Sequence, residues 1–167
     1  MSLAQVPVGS TVLVDANILL YHARGASAEA SAFLERCCEG DITGVITSIV
    51  LAEFCHRRMM IEANQAGLAS SNPARTLGQR PELVRSLSAY AEDMRNLIDG
   101  GLFFEAVLKE DFFLALEYQH RHALLTNDSL NLALARRLAI KDIASADRNF
   151  DALPDLAVHH PADLAVG

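Results

Sequence analysis

Four acidic residues fall where the sequence changes from strand-like to helix-like. Asp15 ends the β-branched run Thr11 to Val14, and Glu53 lies about one helical turn into TSIVLAEFCHR, after a second apolar run. Asp128 is in the first turn of a helical stretch, LLTNDSLNLALA, and Asp147 follows the apolar residues around Ile143 in IASADRNFD. Each has an ordinary explanation taken alone. Asp15 can end a strand, Glu53 can pair with Arg57 at i+4, Asp128 can satisfy a helix dipole, and Asp147 can open a turn with Asn149. Together they ask for a common one, because Glu53 is embedded in apolar sequence where an unpaired charge is costly. Carboxylates brought together repel and raise one another's pKa unless a cation joins them. An all-oxygen set without Cys or His selects Mg²⁺ or Mn²⁺ over zinc. Such ions hold phosphate oxygens, activate water and stabilise the leaving oxygen of an in-line displacement, so the quartet predicts phosphodiester hydrolysis.

The elements that must bring these acids together follow from periodicity and punctuation. Thr11–Val14 and Ile42–Ile46 read as buried strands, and Phe103–Leu108, Lys141–Ala144 and Leu156–His159 as further short ones. Between them, helices are expected over Asn17–Arg24, from an N-cap at Ser27 through Glu39, and from Thr47 or Ser48 at least to Met60. Two more are expected over Asp111–Gln119 and over Asn127–Leu138 capped by Thr126. Gly67–Arg80, with SSNPARTLGQR, reads as a loop. Pro81 opens one amphipathic helix carrying Leu83, Leu87, Tyr90, Met94 and Leu97, which Gly100-Gly101 ends. Strands alternating with helices imply an α/β fold, a largely parallel central sheet flanked by helices. The chain is expected to form one domain, residues 1–167, with a helical insertion at about 61–101. In such a sheet the functional crevice lies outside the carboxyl ends of the strands, where the four acids fall.

Composition narrows the function classes. The chain has 167 residues, 51% hydrophobic and 21% charged, which suits a folded core and excludes a mostly disordered chain. A net charge of −7 argues against gripping nucleic acid through a broad basic face. No stretch is long and apolar enough for a membrane span, and the first ten residues do not read as a signal peptide; the expectation is a cytoplasmic protein. Three cysteines, Cys37, Cys38 and Cys55, form no disulfide framework or zinc set, and the first two read as small core residues. Glycine-rich phosphate loops and Ser or Cys nucleophile motifs are absent. Among Arg57, Arg58, Arg75, Arg80, Lys141 and Arg148, the last, beside Asp147, is the first choice for a phosphate contact. Phe103, Phe104, Phe112 and Phe113 are expected in the core rather than stacked on bases. His120, His122, His159 and His160 are expected in structural or surface roles.

VLVDANILLYHA, SIVLAEF, LLTNDSLNLALA and IASADRNFDALPDLAVHHP resemble the PIN domains of the VapC type, ribonuclease toxins of bacterial and archaeal toxin–antitoxin pairs. The resemblance covers roughly Thr11–Met60 and Phe103–Pro161. It implies a PIN-like fold, Mg²⁺- or Mn²⁺-dependent cleavage of RNA, an antitoxin partner and a homodimer. By position, Asp15, Glu53, Asp128 and Asp147 match the family's acidic metal-binding set. Asn17 matches the polar residue supporting the first acid, and Ser145 a position usually Thr. Asn149 stands where many members carry another Asp, and Asp151 beside it is at most a helper. A receiver-like signalling domain shares the α/β alternation but needs an acid pair, a middle acceptor Asp and a late Lys that this pattern lacks. A PIN nuclease of RNA processing and a non-catalytic PIN module are the remaining alternatives.

Overall fold

The computed structural model describes residues 1–68 and 72–164. Five strands, β1 (Thr11–Val14), β2 (Thr43–Thr47), β3 (Phe103–Glu105), β4 (Asp142–Ala144) and β5 (Ala157–His159), form one sheet in the order β3-β2-β1-β4-β5. Every pairing is parallel, with Leu13 of β1 opposite Val45 on one side and Ile143 on the other. Side chains alternate across β1. Val12 and Val14 join the core beneath α1 (Ala16–Ala23), α2 (Ala28–Cys38) and the start of α3 (Ser48–Gln65). Leu13 points the other way, into a second core with Val45, Ile143 and Val158 under Leu132 and Leu134 of α8 (Thr126–Arg137). Helices thus cover both faces, as a parallel sheet requires.

Local signals set several boundaries. Ser27 caps α2 by accepting from the Ala30 N–H, and Gly40 takes a left-handed φ of 84° just past its end. Thr47 caps α3 through the Val50 N–H. Thr126, in contrast, is not a cap: it is the first residue of α8, and no side chain caps that helix. Of Phe103–Leu108 only Phe103–Glu105 is strand, at the sheet edge.

The insertion departs furthest from the sequence pattern. Within the expected loop, Pro73–Gln79 forms a helix, α4, capped by Asn72 and burying Leu77; positions 69–71 lie outside the described residues. The single amphipathic helix expected after Pro81 is two, α5 (Pro81–Ser86) and α6 (Ala89–Asp99). Leu87 between them is extended, which sends its side chain into a small core with Ala63 and Leu77. The break is held from outside. The Glu62 carboxylate of α3 accepts the N–H groups of Ser88, Ala89 and Tyr90 at 2.8, 3.0 and 2.9 Å, bonds a continuous helix would make internally. Desolvation acts to raise the Glu62 pKa, but these three donors outweigh it and hold the carboxyl below its usual range. Arg58, largely buried, adds a 2.6 Å bond from Nε to Asp93 of α6. We expect Glu62→Ala to cost about 1–2 kcal/mol, read as a lower urea midpoint with the m-value preserved.

Two further expectations fail for packing reasons. Phe103, Phe104, Phe112 and Phe113 are not in the core; they are 49–62% exposed. β3 is a three-residue edge strand. The helix α7 (Lys109–His122) meets α8 through Leu114, Ala115 and Tyr118, so Phe112 and Phe113 stay outside that contact. Cys37 is buried, but Cys38 is exposed and its thiol donates to the Gly100 carbonyl at 2.6 Å.

Candidate active site

In this strand order the chain leaves β1 toward β2 on one side, and β4 lies on the other. The carboxyl ends of β1 and β4 therefore diverge into the crevice of a topological switch point. Asp15 stands there as the N-cap of α1: one oxygen accepts the Ala16 N–H at 2.7 Å. Its other oxygen accepts from the Ser145 hydroxyl at 2.6 Å and from the Asn17 amide. Asn17 also takes the Ala146 N–H at 2.9 Å, and the Ser145 hydroxyl accepts the Asp147 N–H at 3.0 Å. Asn17 and Ser145 thus lace the loop after β1 to the loop after β4. Burial pushes the Asp15 pKa up; the Ser145 and Ala16 bonds oppose this, and the charges of Glu53 and Asp147 add to it.

The other three acids come from separate elements. Asp147 caps a short 3₁₀ turn, Arg148–Ala152, by accepting the Asn149 N–H at 2.8 Å, and the Asn149 amide reaches its second oxygen at 3.3 Å. Glu53 projects from α3, one oxygen 3.2 Å from Arg57, the other accepting from the Asn127 amide at 2.8 Å. Asp128 lies in the first turn of α8. A buried bond from the Thr47 hydroxyl to the Asn131 amide oxygen, 2.9 Å, sets α3 against α8 and hence Glu53 against Asp128. Glu53, Leu125, Thr126, Asn127, Asp128 and Asp147 line one cleft of about 490 Å³.

Asp15 does not line this cleft but lies close enough for its charge to act on Asp128. The Asp128 pKa is pushed up to about 6, first by desolvation and then by the charges of Asp15, Asp147 and Glu53. Among the described residues, Arg57 is the one basic side chain paired with any of the four. As placed, no three Asp, Glu, His or Cys side chains of the described residues close around a common point at ligating distance; like charges spread unless a cation joins them. An undercompensated all-oxygen donor set of this kind fits Mg²⁺ or Mn²⁺.

A family model described as PIN domain matches residues 12–156. The chain belongs to the PIN-domain family. Solved structures share the fold at low identity. VapBC2 from Rickettsia felis, bound to a promoter DNA fragment, is 16% identical with a TM-score of 0.57, covering 90% of this chain and 98% of its own. VapC20 from Mycobacterium tuberculosis, described as a sarcin–ricin loop cleaving toxin, is 15% identical with a TM-score of 0.57, covering 84% and 93%. FitAcB from Neisseria gonorrhoeae is 20% identical with a TM-score of 0.51, covering 92% and 99%. Among curated proteins, none matches this chain.

Within this PIN domain, sequence reasoning overlooked Asn127; its one available signal was its place next to Asp128 in a run of polar residues at a helix start. Arg148 is 81% exposed, its guanidinium 3.9 Å from Asp151 and free to turn toward a ligand at the cleft. Arg58, a phosphate-contact candidate in the sequence, is instead buried against Asp93.

Proposed function

We propose that this PIN domain, residues 1–167 folding as one unit, is a Mg²⁺- or Mn²⁺-dependent endoribonuclease, the toxin of a VapBC-type toxin–antitoxin pair, acting in the cytoplasm. The observation that carries the reading is the gathering of four carboxylates from four distant segments about the crevice between β1 and β4, three of them lining one cleft and all three neighbours adding their charge to the desolvation that raises Asp128. Asp15, Glu53, Asp128 and Asp147 would hold the metal. When bound, the ion supplies charge stabilisation at the scissile phosphate and a nucleophilic water at neutral pH. Ser145 and Asn17 orient the Asp15 carboxylate, Asn149 orients Asp147, and Asn127 with Arg57 orients Glu53, so that the donors are held about the crevice for an ion to draw together. Arg148 would steady a backbone phosphate. Hydrolysis of this kind needs no ribose 2′-hydroxyl, and the expected ends are 5′-phosphate and 3′-hydroxyl.

The partners follow from the same reading. Solved relatives include a toxin–antitoxin complex from Klebsiella pneumoniae, with a TM-score of 0.52 at 16% identity, which supports a small antitoxin protein as the inhibitor. The exposed side chains Phe112, Phe113 and Leu116 of α7 support a second copy as a further partner, because a two-fold contact buries such a patch twice. No helix among the described residues is long and apolar enough to cross a membrane. The test is cleavage of RNA by the purified chain. Cleavage with Mg²⁺ or Mn²⁺, stopped by chelation and by a co-purified antitoxin, is expected. Metal-dependent cleavage without growth arrest on expression would point to RNA processing, and no cleavage with any divalent ion would overturn the reading.

A further inference from the structure

Asp151 and His160 flank the Asp147 turn and, apart from the 3.9 Å approach of Arg148 to Asp151, have no part in the scheme above. His160 directly follows β5, and its ring is only 17% exposed. Its Nδ1 is 2.6 Å from the Ser145 carbonyl oxygen, and its Nε2 is 2.7 Å from a carboxylate oxygen of Asp151. Those two contacts fall at the two ends of the segment 145–151, whose middle carries Asp147. A carbonyl only accepts, so Nδ1 donates to Ser145 and the ring orientation is fixed. Other anchors hold the start of this segment, through the Ser145 hydroxyl on Asp15, the Ser145 N–H on the His159 carbonyl and the Ala146 N–H on Asn17, and the buried Phe150 ring holds its far half. Among the described residues, His160 alone joins its start to its end. A carboxylate likewise only accepts, so Nε2 donates to Asp151, whose side chain is 43% exposed, and this bond turns the carboxylate toward the His160 ring.

We propose that the His160–Asp151 bridge is a positioning device that fixes the Asp147 turn for metal binding, with Asp151 serving as a brace rather than as a ligand. The inference rests on the metal-dependent reading above. An outer-sphere partner of this kind typically changes metal affinity by 10- to 100-fold.

The experiment is calorimetric titration of the full chain with Mn²⁺ alone, with thermal melts alongside. Asp151→Ala should weaken Mn²⁺ binding about 10-fold, and His160→Ala at least as much, at temperatures where both remain folded. The double variant should be no weaker than the worse single one, since both changes break one bridge. Asp151→Asn separates bridge from charge. An amide can offer either oxygen or N–H to Nε2, so it should restore binding to within about 3-fold of wild type although it carries no charge. Asp151→Ala is at a partly exposed position and keeps the test valid if His160→Ala does not fold. Wild-type affinity in both alanine variants would overturn the proposal, and so would Asp151→Asn binding as weakly as Asp151→Ala. No Mn²⁺ binding by the wild type would overturn the nuclease reading itself and this inference with it.

Discussion

Replacing Asp15 with Asn should abolish metal-dependent RNA cleavage, a loss on the order of 10³-fold or more, while the protein stays folded. The two halves of that expectation have separate physical grounds. Activity is lost because Asp15 sits deepest in the crevice and an amide is a poor ligand for a hard divalent cation. The fold survives because burial already biases this carboxyl toward its neutral form, so a neutral residue of the same shape suits the site. The amide oxygen can keep the Ala16 N–H, and the Ser145 hydroxyl can turn to accept from the new N–H₂. The contact with the Asn17 amide is lost. The Ser145 hydroxyl, which already accepts from the Asp147 N–H and the Asn17 amide, gives up one of those to take the new N–H₂, at about 1 kcal/mol for each bond lost. Cleavage time courses and a thermal melt check both halves. Wild-type cleavage by Asp15→Asn would remove Asp15 from the site.

Much of this architecture is legible in the sequence because its signals are local. The β-branched run Thr11–Val14 and Ser27 before an apolar-periodic stretch act through neighbours within a few residues. So does the alternation of strands and helices, from which the parallel sheet follows. The positions of the acids are legible for a related reason: each marks an element end, and the carboxyl ends of parallel strands share one edge.

What was not legible depends on partners distant in sequence. Leu83 to Leu97 has the period of one helix, and nothing within that stretch announces the break at Leu87. The break is made by Glu62, 26 residues before Ser88, capping the second half from another helix. Asn127 reads as an ordinary helix-start residue until α3 and α8 pack and bring Glu53 to its amide, 74 positions away. The four phenylalanines fail differently. Apolar character predicts burial only where a partner exists, and β3 at the edge of the sheet has a neighbour on one side alone.

Asp128→Asn should stabilise the metal-free protein at neutral pH, and added metal should reverse the ranking. The Asp128 pKa stands at about 6 in the folded chain against 3.8 for the free group. Between these values the folded state holds a proton that the unfolded state has released, so stability falls as pH rises from about 4 to about 6 and is level above. Asn does not titrate and escapes that loss. Two pH units correspond to about 3 kcal/mol at full strength, but Asp128 is half-buried and solvent screening reduces this to an expected gain on the order of 1 kcal/mol. In a chain of this size that is a rise of about 2–4 °C in Tm, present at pH 7.5 and absent below about pH 4. Saturating Mg²⁺ or Mn²⁺ acts in the opposite sense. It stabilises the wild type by about 2.7 kcal/mol at a hundredfold excess over Kd and the variant by less, because the variant has lost a ligand. Melting curves of both proteins at the two pH values, with chelator and with metal, read every term. If Asp128→Asn leaves the Tm unchanged at pH 7.5 in chelator, Asp128 is neither desolvated at the cleft nor repelled there by the other three carboxylates.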